Sequence, residues 1–196
     1  MGPLILGSAS PRRREILSGL GLSIVVLPAD IDESVRPGEA AAVYLERIVQ
    51  DKLHAVASRL GEQPASAVLV ADTSVIIDDA ILGKPSDVAD AVRLLTRLCG
   101  RVHRVHTRYA IGRPSGALVV ARTVTTEVTL RAASADEIER YARSGEGLDK
   151  AGAYAAQGIG SFLVERVNGS YTNVVGLPAC EVVLDLKEHG LLGPFP

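Results

Sequence analysis

Asp72 follows the apolar run Ala67-Val68-Leu69-Val70-Ala71. A carboxylate at the C-terminal end of a buried strand faces the crevice where open α/β sheets take ligands, and there it can accept a proton from water. Three arginines, Arg12, Arg13 and Arg14, follow the small-residue turn Gly7-Ser8-Ala9-Ser10-Pro11. They stand where a helix begins, with Ser10 as its N-cap, and a helix start offers unpaired N–H groups and a positive dipole end to an anion. First turns favour acidic residues, so cations gathered there call for a negative group from outside the chain. Lys84, held between Gly83 and Pro85, and Lys52 add two cations, while Asp32 and Glu33 add carboxylates after a second strand. This is the inventory for handling a polyphosphate. Cations offset phosphate charge, carboxylates hold a divalent ion, and one carboxylate deprotonates an attacking water. Each residue also has a plainer reading: Asp72 as a turn aspartate, Lys52 as a lysine snorkelling from a helix edge, Lys84 and the arginines as solvated surface.

Other chemistries are less well supported. His103 and His106 are three apart on a strand and point to opposite faces, so they do not share a metal ion. The chain has no G-x-x-x-x-G-K-[ST] loop and no nucleophile elbow.

The elements that must position these groups follow from periodicity. A strand at 4–6 leads into a helix at 11–20, and a second strand at 23–27 leads into the acidic loop. Residues 39–60 carry a helical stripe of Leu45, Ile48, Val49, Leu53, Val56 and Leu60, with Lys52 on its edge. The runs 75–77 and 80–82 form a hairpin about Asp78-Asp79. Ser86 caps a helix that runs to Cys99, where Gly100 stops it. Alternating strands at 102–111 and 118–130 flank the turn Arg113-Pro114-Ser115-Gly116. Ser134-x-x-Glu137 is a capping box for a helix ending near Gly145. Residues 145–160 have no clean period. A second hairpin is expected from 162–167 and 170–175 about Asn168-Gly169, and Leu177-Pro178 opens a last helix ending near Gly190. Early alternation of strand and helix with long antiparallel pairs later predicts an α/β fold: a mixed twisted sheet with flanking helices, long antiparallel hairpins and a cleft at the strand ends.

Composition narrows the function. A length of 196 residues fits one domain over 1–196, or two lobes around a central cleft. A formal net charge of −2 and 4% aromatics argue against a nucleic-acid partner. Cys99 and Cys180 belong to no C-x-x-C, which points to a reduced cytoplasmic setting. No apolar run approaches the ~20 residues of a membrane span, and Met1-Gly2-Pro3 leading straight into a strand reads as the absence of a signal peptide.

Five motifs, in order, resemble the Maf family, the septum formation inhibitor proteins regarded as nucleoside triphosphate pyrophosphatases. They are Ser8-Ala9-Ser10-Pro11-Arg12-Arg13, Ala71-Asp72-Thr73, Ile81-Leu82-Gly83-Lys84-Pro85, Leu148-Asp149-Lys150-Ala151-Gly152-Ala153-Tyr154, and Asn168-Gly169-Ser170-Tyr171 with Val174-Val175-Gly176-Leu177-Pro178. The resemblance covers nearly the whole chain. It implies hydrolysis of a nucleoside triphosphate to the monophosphate and pyrophosphate, with a divalent cation: magnesium first, manganese or cobalt as alternatives, the ligands unassigned. It makes Asp72 the proton acceptor, and Ser8, Arg13, Glu33, Lys52 and Lys84 the substrate-binding set. Substrate choice falls to Arg12, Thr73 and Gln157, and the residues around Gln157 resemble the dTTP/UTP branch. A glutamine amide, donor and acceptor at once, matches the O4 and N3–H edge of uracil and thymine. The resemblance also implies a homodimer. Gly147 departs from the family's usual proline and is expected to loosen its loop. A nucleotide-sensing regulator of septum formation with little turnover is the alternative, and modified pyrimidine nucleotides are an alternative substrate class.

Overall fold

Strand β3 (Ala67–Ile77) alternates its side chains between two cores. Ala67, Leu69 and Ala71 pack with Leu4, Leu6 and Leu17, whereas Val68 and Val70 pack with Val49, Leu53 and Val56 of helix α2 (Ala41–Leu60). The computed structural model describes residues 2–195, so Met1 of the expected leader-free start and Pro196 of the expected 1–196 domain lie outside the described residues.

The remaining strands and α-helices, in chain order, are β1 (Leu4–Leu6), α1 (Pro11–Gly19), β2 (Ile24–Val26), β4 (Ala80–Leu82), α3 (Val88–Leu98), β5 (Val102–Gly112), β6 (Leu118–Leu130), α4 (Ala135–Arg143), β7 (Val164–Asn168), α5 (Tyr171–Val175) and α6 (Ala179–Glu188), with 3-10 turns at Ala151–Ala153 and Gly158–Leu163. The strands form one seven-stranded sheet in the order β2-β1-β3-β5-β6-β7, with β4 paired to β3. β1 lies parallel to β2 and β3, while β4 is antiparallel to β3 and β7 to β6. The expected mixed sheet with flanking helices is present. Among the described residues, no helix is long and apolar enough to cross a membrane.

The chain divides into two compact units. The first comprises Met1–Asp72, Thr107–Val124 and Gly176–Pro196, and α1 and α6 contribute Leu17, Val182 and Leu186 to one of its cores. The second comprises Thr73–His106 and Thr125–Val175, where α3 and α4 pack on each other over Val105, Val128 and Leu130.

Four expectations about the elements need correction. Strand β3 does not stop at Ala71 but runs through Asp72 to Ile77, which places Asp72 in mid-strand. The strand changes partner there: Leu69 is the last residue registered on β1, and Val75 is the first registered on the antiparallel β4. The cap of α3 is Asp87, which accepts from the Asp90 N–H at 2.8 Å, and not Ser86. Ser10 holds the N-cap position of α1 without a side-chain cap bond, its own N–H donating to Ser8 Oγ at 3.2 Å. Residues 170–175 are not the return arm of a hairpin. Ser170 Oγ accepts the Asn173 N–H at 3.2 Å, which starts the short helix α5, and buried Asn173 donates to Val105 O and Thr126 Oγ1. The hairpin at Asp78-Asp79 does form, both residues taking the positive φ of a tight primed turn at 51° and 57°.

Candidate active site

The parity of β3 decides what Asp72 meets. It follows Val68 and Val70 on the α2 side, so its carboxylate arrives beside that helix, where Lys52 waits. Lys52 Nζ donates to Asp72 Oδ1 at 2.8 Å and pairs with Glu33 Oε1 at 2.7 Å. Lys52 is buried rather than snorkelling, which corrects its plainer reading. Asp72 Oδ2 has no hydrogen-bond partner among the described residues.

Glu33 is held by its surroundings. Tyr44 Oη donates to the Glu33 carbonyl at 3.2 Å, and Arg47 Nη2 donates to Ser34 O at 3.0 Å. Arg47 also grips Glu39 through Nε and Nη2, both at 2.7 Å, which pulls the Glu39 carboxyl down to about 2. Burial, reinforced by the charges of Asp72 and Glu33, pushes the Tyr44 phenol up. Asp32 serves the turn instead: its Oδ1 accepts from both the N–H and the hydroxyl of Ser34.

Arg13 is buried and committed to the chain. Nε donates to Gly176 O at 2.8 Å, and Nη1 donates to Ser8 Oγ and Ala71 O, each at 2.9 Å. Burial lowers its pKa, opposed by the nearby Asp72 and Glu33. The guanidinium thus fastens the Ser8 turn to the residue preceding Asp72. Arg12 is half-buried and Arg14 exposed.

Of the sequence-derived set, the first unit brings together Ser8, Arg13, Glu33, Lys52 and Asp72. Thr73, Lys84 and Gln157 belong to the second, where Lys84 and Gln157 are exposed and Thr73 half-buried. Gly83, next to Lys84, accepts the Gly152 N–H at 3.1 Å, which ties the Lys84 turn to the 145–160 loop. That loop is not loosened by Gly147. A Cβ there would stand 2.0 Å from Ala153 O, so the glycine permits a close backbone crossing. Gly176 was read only as part of a motif, and Tyr44 was missed by sequence reasoning. Tyr44 was within reach of it, since Tyr44, Ile48 and Lys52 repeat every four residues along one helix face.

The described residues contain no group of three or more His, Cys, Asp or Glu able to hold a metal. Two carboxylates, Asp72 and Glu33, nonetheless converge on one ammonium. That donor set fits a divalent ion held by one or two carboxylates, waters and substrate phosphates, and not an all-protein cage.

The same architecture is found in the solved structure of the Staphylococcus aureus Ham1 protein, with a TM-score of 0.51 over 96% of this chain and 98% of that one, at 14% identity. The fold is therefore Ham1-like. The Maf-like protein family model matches residues 3–189, and the chain belongs to that family. A relative from Hahella chejuensis is 50% identical over 96% of this chain and 92% of its own length, and one from Myxococcus xanthus is 52% identical over 98% and 94%. Both relatives bear the name dTTP/UTP pyrophosphatase.

Proposed function

We propose that this protein is a nucleotide pyrophosphatase that hydrolyses dTTP and UTP to the monophosphate and pyrophosphate. The observation that carries the reading is the buried Lys52 bridge between Asp72 and Glu33. The names of the full-length relatives support the substrate class.

In this reading Lys52 holds Asp72 by Oδ1 and turns Oδ2 toward a water, which attacks the α-phosphorus. Oδ2 takes a proton from that water, the α–β phosphoanhydride bond breaks, and pyrophosphate leaves with the bonding pair. Lys84 and the N–H groups at the start of α1 receive phosphate charge, with Ser8 shaping that turn and Arg13 fastening it. A divalent cation held by Asp72 and Glu33 would add charge stabilisation at the phosphates. Arg12, Thr73 and Gln157 set the choice of base. The two cysteines, Cys99 and Cys180, are unpaired, which supports a cytoplasmic setting.

The test is a substrate panel. Incubation with dTTP, UTP, modified pyrimidine triphosphates, 7-methyl-GTP and the other common triphosphates, each with magnesium, manganese or cobalt, is read by pyrophosphate and monophosphate release. Preferred turnover of dTTP and UTP supports the reading. Tight binding without pyrophosphate release replaces it with a nucleotide sensor.

A further inference from the structure

Within the second unit, the irregular loop carrying Gln157 is closed by one side chain that the proposed reaction does not use. Glu146 Oε1 accepts the Ile159 N–H at 2.8 Å, and Oε2 accepts the Gly160 N–H at 2.7 Å. Oε2 also accepts the Tyr141 hydroxyl at 2.9 Å, and that hydroxyl accepts the Ala155 N–H at 3.0 Å. The Glu146 carbonyl in turn accepts from Lys150 Nζ. These bonds from backbone and phenol hold the Glu146 carboxyl below its ordinary range, against the opposing effect of burial.

The packing around the carboxylate admits little else. A Cβ on Gly158 would stand 2.2 Å from Glu146 Oε1, and one on Gly160 would stand 2.4 Å from Tyr141 Oη. Successive N–H groups turned toward one point form an anion seat, and here a carboxylate of the same chain fills it. Gln157 lies two residues before Ile159, with extended backbone (φ −113°, ψ 163°) immediately ahead of the left-handed Gly158 (φ 71°). Its side chain is exposed, but its backbone is fixed from both sides, by Tyr141 on Ala155 and by Glu146 on Ile159.

We propose that Glu146 is a positioning residue for base selection, acting through Gln157 by clasping residues 159 and 160. The proposal rests on the reading that Gln157 contacts the base. Where the backbone is clasped, the reach of the glutamine amide is set before substrate arrives, so a base of the wrong shape or edge finds no partner. Where the clasp is weakened, the amide follows the base and discrimination falls.

The test uses Glu146→Gln in the full chain, with the ratio of kcat/KM for dTTP to that for dCTP and dATP as the readout. The variant keeps the shape but sets an amide NH₂ against a backbone donor. The expected result is a loss of discrimination of about tenfold, with kcat on dTTP changed less than about threefold. Amide hydrogen exchange at Ile159 and Gly160 is expected to accelerate in the same variant. In a Gln157→Ala background, Glu146→Gln should cost no further discrimination, because the residue it positions is gone.

Gln157→Ala alone separates the two failures. If it leaves the ranking unchanged, the base-contact reading fails and this proposal falls with it. If it flattens the ranking while Glu146→Gln does not, or if the two effects simply add, the proposal alone is overturned. Tyr141→Phe, which removes one donor from the carboxylate, is expected to give a smaller loss of the same sign that Gln157→Ala again suppresses. That variant carries the test if Glu146→Gln does not fold, and an unchanged ranking in it overturns the proposal.

Discussion

Lys52 Nζ lies 2.8 Å from Asp72 Oδ1, and the lysine comes from a helix twenty residues long while the aspartate sits in the middle of an eleven-residue strand. The same ammonium reaches Glu33 at 2.7 Å. Lys52 therefore keeps two carboxylates together that would otherwise repel.

Replacing Lys52 with methionine preserves the apolar stem and removes the charge. Breaking a fully buried pair costs about 3–5 kcal/mol. Here the Glu33 side chain is 44% exposed and can turn to water, so about 2 kcal/mol is expected. Activity should fall at least about tenfold with it, since Asp72 loses the contact that orients it. Urea unfolding with parallel kinetics checks both numbers; full stability with full activity would mean that the bridge matters to neither.

Arg13 offers a sharper contrast, because it touches three points of the chain. Arg13→Ala removes one donor from each of Gly176 O, Ala71 O and Ser8 Oγ, of which Ala71 O keeps Lys52 Nζ at 3.4 Å and Ser8 Oγ keeps the Ser10 N–H at 3.2 Å. Hydrogen bonds to charged groups contribute about 1.5–3 kcal/mol each and are not additive, so a loss of about 3 kcal/mol or more is expected. Arg13→Lys should recover less than half of it, since an ammonium cannot reproduce the fork of a guanidinium. Thermal unfolding of the two variants checks this. An unchanged Tm with only a raised KM would make Arg13 a phosphate ligand and nothing more.

His103 predicts a pH dependence. It is 2% exposed, its Nε2 meets Tyr154 Oη at 2.8 Å, and its Nδ1 has no hydrogen-bond partner among the described residues. Burial depresses its pKa from 6.5 to about 4, so the unfolded chain binds more protons than the folded one between those values. Its contribution to stability is full above pH 6.5, declines as pH falls toward 4, and is constant below that. The span amounts to about 3 kcal/mol. Denaturant unfolding of wild type and His103→Gln from pH 7 to pH 4 isolates it, because the acidic groups titrate in both. The stability difference between them should shrink by about that amount, and parallel curves would contradict it.

Most of the fold was legible because its cores follow simple periods. The alternation of β3 and the stripe of α2 appear in the sequence as they do in the structure. In the sequence Asp72 reads as a strand end because it and Ser74 are polar breaks in the apolar run and aspartate is depleted in strands, whereas pairing with β1 before it and β4 after it keeps β3 extended through it. The helix α5 hid in the β-branched residues Thr172, Val174 and Val175, and its start depends on the Ser170 hydroxyl. The 145–160 loop is held by bonds from Glu146 and Tyr141, which leave no periodic trace. For the site, residue types and loops were readable, but the meeting of Lys52 with Asp72 links positions that no local spacing relates. The three chain groups that Arg13 joins, Gly176 O, Ser8 Oγ and Ala71 O, are likewise related by no local spacing.

The central claim is that Asp72 deprotonates the attacking water, and Asp72→Asn tests it most directly. The amide keeps an oxygen for Lys52 and cannot accept the proton. With dTTP and a divalent cation, kcat for pyrophosphate release should fall by at least about 100-fold, the lower end of what a positioned general base contributes, while KM stays within a few fold. Turnover within a few fold of wild type would remove Asp72 from the chemistry.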